Sequence, residues 1–317
     1  MTERGGSWTA RLVAIVVAVV TTATALVACD PVPVVDPPLD CAVTRSAVHR
    51  NLAYRSVPGV DPNLLSLDLY VPVRDPRCPA APLVVYVHGG GFARGDKANG
   101  VADKVALFTG AGWAFASINY RLSPDPPNDL PGQVRYPVHE QDGASAIAWL
   151  AARSTTYGLD PDQVLLLGHS SGAYLVSLLA TDPSFLAAAG VDPAAIRCAA
   201  SLDTEYDAAD QVAQGGTQEV LYRNALGNDP ATWALASPVT HVGGADPDLL
   251  VVTRGAPRRV AQAQAFAAAL TGAGSTASAV VVNPLSHEEV NDAVGAPGDT
   301  VVTPPLRAFF ESCVAGG

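Results

Sequence analysis

The chain has 317 residues, 49% of them hydrophobic and 15% charged, with a formal net charge of −11. That length holds one large α/β domain with a full core or two small ones, and the composition favours the single globular domain. The acidic balance argues against nucleic acid and against anionic lipid headgroups as partners.

Residues 1–28 read as an export signal: Arg4 and Arg11 flank a short polar start, and Leu12 to Ala28 is an uncharged run rich in Val and Ala. An uncleaved N-terminal anchor is the competing reading, since the run is just long enough for a thin bilayer. The stretch "LVAC" at 26–29 resembles the bacterial lipobox, in which the cysteine takes the lipid and becomes the first residue. Cys29 is then an anchor, and the expected location is the outer face of a bacterial cell membrane. Loss of the segment removes Glu3, Arg4 and Arg11 and leaves a net charge near −12. The stretch "DPVPVVDPPLD" that follows Cys29 has no helical periodicity, so 29–40 is expected to be an extended tether of roughly 3 Å per residue.

Beyond Cys29 four cysteines remain, Cys41, Cys78, Cys198 and Cys313. An even number in an exported chain suggests two disulfides. Of the three pairings, Cys41–Cys78 would close an N-terminal hairpin region and Cys198–Cys313 would tie a strand to the last helix. No Cys/His spacing resembles a zinc site.

From about residue 41, strand and helix patterns alternate, which implies a mostly parallel sheet covered on both faces. Strands around 49–57 and 64–73, joined by a turn at "PGVDPN", form an antiparallel start. Six more follow at 81–89, 113–122, 163–169, 197–203, 248–255 and 276–283, making eight. Helical patterns occupy 138–153, 171–181, 257–271 and 304–315, with "GLDPDQ" as the turn into the fifth strand. Region 204–247 is a longer connection with short helical pieces, the one place for a small lid or substrate-binding insertion. There is no internal repeat.

The fifth strand runs into Gly168-His169-Ser170-Ser171-Gly172 and then a helix. A serine at such a turn is pushed clear of the sheet on a strained elbow, with Gly168 and Gly172 permitting the bend. The amide of Ser171, backed by the helix N-terminus, points where an oxyanion would develop. Upstream, "HGGGF" (88–92) directly follows the third strand. Its glycines leave backbone N–H groups unshielded, so Gly90 and Gly91 are candidate oxyanion donors. A phosphate-binding loop is the rival reading, but neither a P-loop lysine nor Gly-x-Gly-x-x-Gly is present.

Together "VVYVHGGGFARGDK", "INYRLSP", "DGASAIAWL" and "LLLGHSSGAYLVSLLA" resemble the α/β-hydrolase superfamily, in particular the carboxylesterases and hormone-sensitive-lipase-like esterases. The resemblance covers about residues 45–315 and implies that 41–317 form an α/β-hydrolase catalytic domain. It implies a serine carboxylesterase for short- to medium-chain esters that works through an acyl-enzyme, with no metal or cofactor. The lipase-like members carry a helical cap before the sheet; here the first strand comes too soon for a large one, so an open site for small, soluble esters is expected.

A serine hydroxyl needs a base. Of six histidines, His49 lies in an N-terminal strand, His88 in the glycine loop, His139 ahead of a helix, His169 inside the elbow and His241 in the irregular connection. His287, in "NPLSHEEVN" after the last strand, stands where the fold places its base. The acid departs from the family pattern. It usually follows the seventh strand as Gly-x-x-Asp, yet here the segment is "TRGAPRRVAQAQAF", and no Asp or Glu lies between Asp248 and Glu288. Pancreatic-type lipases take the acid from the end of the sixth strand, which points to Asp203 in "AASLDTEYD"; Asp207, Asp246 and Asp248 are the alternatives, and Glu288 adjoins the base too closely to face its ring. Asp142, Tyr120 and Arg121 read as structural. Two other readings are a peptidase or amidase of the same fold and a non-catalytic binding lipoprotein. A carboxylate on His287 with Ser170 on the opposite ring nitrogen would separate enzyme from binder.

Overall fold

A computed structural model describes residues 40–125, 127–128 and 130–315. The signal segment, Cys29 and nearly all of the tether lie outside the described residues.

In chain order the elements are β1 (Arg45–Ala53), β2 (Ser66–Val73), β3 (Ala81–Val87), α1 (Ala102–Gly110), β4 (Ala114–Ile118), α2 (Val138–Ala151), α3 (Ser154–Tyr157) and β5 (Leu159–His169). Then come α4 (Ser171–Thr181), α5 (Ser184–Ala188), β6 (Ile196–Leu202), α6 (Ala208–Ala213), α7 (Gly216–Leu226), α8 (Pro230–Ala236) and β7 (Asp248–Thr253). The chain closes with α9 (Pro257–Ala273), β8 (Ala277–Val281), α10 (His287–Asp292) and α11 (Thr303–Ala315). The strands form one sheet in the order β1-β2-β4-β3-β5-β6-β7-β8. The expected antiparallel start is present: β1 pairs with β2 and β2 with β4 in that sense, and every later pairing is parallel.

Parallel strands covered on both faces read as unbroken apolar runs, and β3 shows why. Leu83, Val85 and Val87 pack into one core with Ile147, Leu175, Leu179 and Phe266, while Val84 and Tyr86 pack into the other with Phe108, Leu306 and Phe310. Helices α2, α4 and α9 therefore cover one face, and α1 and α11 the other. Two corrections concern boundaries and short helices. The segment "GLDPDQ" is mostly strand: β5 begins at Leu159, which pairs with Ala81 before a register irregularity. Helices α1, α3, α5 and α10 were not legible, being short pieces whose stability comes from packing rather than propensity.

Both expected disulfides are formed, Cys41–Cys78 and Cys198–Cys313, with Cα separations of 5.8 and 6.2 Å. The second ties β6 to α11. Asp142 is fully buried beneath Arg121, which donates to both carboxylate oxygens at 2.7 Å, with Arg55 at 3.3 Å. It is the structural tie expected of it.

Candidate active site

Ser170 sits between β5 and α4 with φ 54° and ψ −122°, a conformation costly for a residue with a side chain and held only when its surroundings enforce it. The ladder bond from Ser170 N to Leu202 O, 2.9 Å, supplies part of that enforcement. The flanking glycines are required for space rather than for left-handed backbone. A Cβ at Gly168 would stand 2.3 Å from Gly172 O, and one at Gly172 would stand 2.1 Å from Val87 O. The helix thus starts in contact with the end of β3, which also delivers the glycine loop. Gly90 adopts φ 124°, and a Cβ there would meet Arg94 O at 2.1 Å. The Tyr120 hydroxyl donates to His88 O at 3.2 Å and lies 3.4 Å from Ser171 Oγ, joining loop to elbow.

His287 opens α10 behind a capping box made by Ser286 and Glu289. Its Nε2 lies 2.8 Å from Ser170 Oγ and its Nδ1 lies 2.6 Å from Asp203 Oδ2. Asp203 follows the last residue of β6 with φ 55°, which aspartate tolerates better than most, and Asp203 N continues the ladder to Val252 O at 2.7 Å. Its side chain is fully buried. Burial works against its charge, but the His287 hydrogen bond and the positive charges of Arg259 and Arg254 outweigh that and hold the carboxyl below its ordinary range. The three expected residues are therefore brought together as one hydrogen-bonded chain. The other carboxylates are employed elsewhere: Asp207 caps α6, Asp246 accepts from Gly243 N, and Asp248 accepts from Thr276 N.

Two features of the site are not legible in the sequence, and a third gives form to an expectation. His169, set aside as part of the elbow, donates from Nε2 to His287 O at 2.9 Å, with the two rings 4.6 Å apart. Burial, and then the neighbouring His287, push its titration down to about 4, so it is a neutral donor that ties α10 to the elbow. Arg254 and Arg259 grip Asp203, and Arg259 also pairs with Glu205. Finally, the 204–247 connection, expected to hold a small lid or substrate-binding insertion, contributes α7, whose Gln218, Leu221 and Tyr222 line a cavity together with Ser170. Two cavities meet at Ser170, one of about 320 Å³ reaching toward Arg254 and one of about 400 Å³ reaching toward Asp96 and Glu288. Gly91 and Leu221 line both.

A nucleophile-base-acid chain beside a glycine loop is an arrangement for acyl transfer. Residues 67–270 match the BD-FAE family. Among curated proteins, the chain is 28% identical to the esterase LipQ of Mycobacterium tuberculosis over 217 residues, 65% of this chain and 50% of LipQ. It is also 28% identical to the esterase LipC of the same organism over 250 residues, 74% of this chain and 59% of LipC. The chain thus spans only about half to three-fifths of these relatives. Esterase B from Lactobacillus rhamnosis superposes with a TM-score of 0.69 at 21% identity, covering 87% of this chain and 88% of that one. Thermogutta terrifontis esterase 2 phosphonylated by sarin gives 0.67 at 20% identity, covering 87% and 96%. At that identity the likeness is one of fold. Fold and family agree: the chain belongs to the BD-FAE family and has the α/β-hydrolase fold.

Proposed function

We propose that the protein is a serine carboxylesterase acting on short- to medium-chain esters. The observation that carries this reading is the continuous chain from Asp203 through His287 to Ser170, at 2.6 and 2.8 Å. In the reaction, Ser170 Oγ attacks the ester carbonyl while its proton passes to His287 Nε2, and Asp203 fixes the tautomer and supports the imidazolium. The N–H groups of Gly90, Gly91 and Ser171 receive the oxyanion. His287 then returns the proton to the leaving alkoxide, and the acyl-enzyme is hydrolysed by a water that the same imidazole activates.

The sizes of the two cavities suit small acyl and alcohol groups, and relatives named as esterases support ester hydrolysis. The carboxylate on His287 favours an enzyme over a binding lipoprotein. The apolar N-terminal run and "LVAC" support export and lipidation at Cys29, and two disulfides suit an oxidising compartment. The test is hydrolysis of p-nitrophenyl acetate and butyrate by a chain starting at Asp30. Ser170→Ala is expected to lower kcat by more than about ten-thousand-fold. Folded wild-type protein that turns over neither ester would overturn the reading.

A further inference from the structure

In the pattern this chain resembles, the acid stands three residues after a glycine that follows the seventh strand. Here that glycine is Gly255, and the place of the acid is taken by Arg258, which pairs with Asp210 instead. Its neighbours on either side of the loop turn inward. From the end of β7, Arg254 Nε donates to Asp203 Oδ2 at 2.7 Å. From the first turn of α9, Arg259 Nε donates to Oδ1 at 2.9 Å, and its Nη2 stands at 2.9 Å from the same oxygen. The loop that would supply a carboxylate supplies two guanidinium groups to a carboxylate at the end of the neighbouring strand, β6.

We propose that Arg254 and Arg259 are positioning residues for the proposed triad: they hold the relocated acid, Asp203, in the orientation that keeps one oxygen on His287 Nδ1. The inference rests on the triad reading above. A carboxylate gripped only through one oxygen can swing about its Cβ–Cγ bond. Here Oδ1 is held by Arg259, and Oδ2 is shared between His287 and Arg254, so the swing is blocked from both sides. Full burial of Asp203 adds a second demand, because a buried carboxylate without cationic partners is strongly destabilised. Four groups face each other across this cluster: Asp203 after β6, Glu205 two residues on, Arg254 from β7 and Arg259 from α9, with His287 closing it from α10. Glu205 accepts from Arg259 and so braces the second arginine in turn. Arginine suits the task better than lysine, since its planar fork fixes direction as well as charge.

The experiment is a double-mutant cycle on ester hydrolysis combined with proton NMR of the intact protein. Arg254→Gln and Arg259→Gln are each expected to lower kcat about 10- to 100-fold, the scale of a misplaced catalytic group, with KM unchanged. Arg254→Lys is expected to recover part of the loss. In an Asp203→Asn background, Arg254→Gln should cost no further kcat, because its effect runs through the carboxylate. The downfield resonance of the His287 Nδ1 proton, identified by its loss in His287→Asn, should be present in the wild type and lost or shifted in Arg254→Gln. Wild-type kcat in both arginine variants, losses that multiply with Asp203→Asn, or an unmoved resonance would each overturn the proposal. If Arg259→Gln fails to fold, the partly exposed Arg254 decides. Absence of ester turnover in the wild type would sink the esterase reading alone, since the resonance comparison needs no turnover.

Discussion

Asp203 shows how a single residue is legible first by resemblance and then by geometry. The sequence has no carboxylate between Asp248 and Glu288, a departure from the family pattern, and likeness to the pancreatic-type lipase arrangement then points to the tip of β6. It does not choose among Asp203, Asp207 and their neighbours; that choice is made by the φ of 55° that turns Asp203 toward His287. Asp203→Asn is expected to lower kcat by about ten-thousand-fold by permitting the wrong imidazole tautomer, whereas Asp248→Asn should retain turnover; p-nitrophenyl butyrate kinetics compare them. A second prediction concerns Glu140, fully buried in the first turn of α2 with neither carboxylate oxygen hydrogen-bonded among the described residues. Burial raises its titration from 4.5 to about 8. The folded protein therefore binds the extra proton between those values, so this contribution to stability is full below about 4.5 and is lost as pH rises through about 8. His139 and His169 act in the opposite sense. Buried neutral, with titration lowered from 6.5 to about 3 and about 4, they contribute fully above 6.5 and lose that contribution as pH falls. Urea midpoints measured across pH should show Glu140→Gln more stable than wild type near pH 8 and little different near pH 4. A constant gap would contradict this account.

Among elements, the strand-to-helix elbow was the most legible, because Gly-x-Ser-x-Gly after an apolar run leaves few alternatives. The physical reason for Gly172 was not legible, since it lies in the approach of α4 to the end of β3, two segments far apart in sequence, whereas Gly168 meets only the elbow's own backbone at Gly172 and Ala173. Gly172→Ala would force β3 or α4 to move. A loss of at least about 1–3 kcal/mol is expected by denaturant unfolding, with ester turnover reduced further because the serine and the glycine loop both shift. Helix α10 illustrates the opposite case. Its six residues have little intrinsic stability, but the buried Lys104 of α1 donates to Asn291 O at 2.8 Å, Tyr86 donates to Asn291 Oδ1 at 2.7 Å, and His169 holds its first turn. Such a helix exists because tertiary partners hold it. For α6 to α8 the sequence shows short helical pieces in a connection long enough for an insertion, but not that residues of α7 line a cavity with Ser170.

For the whole molecule, both cysteine pairs close in the expected way, and their loops differ in size. Cys198–Cys313 spans 115 residues and joins a central strand to the last helix, whereas Cys41–Cys78 spans 37 near the sheet edge. Replacing Cys198 and Cys313 by alanine is expected to cost about 2–5 kcal/mol and more than replacing the other pair, as read by calorimetric Tm. Equal losses would mean that loop length does not govern the effect. Strand count, sheet sense and the choice of Ser170 and His287 as candidate nucleophile and base were legible in the sequence by itself, because hydrophobic period, glycine spacing and chain order are local signals. The tertiary structure alone decided which carboxylate faces His287, that two arginines hold it, and that His169 and α7 complete the site. Each of those depends on side chains from separate strands meeting at the carboxyl end of the sheet, a proximity that no local pattern encodes.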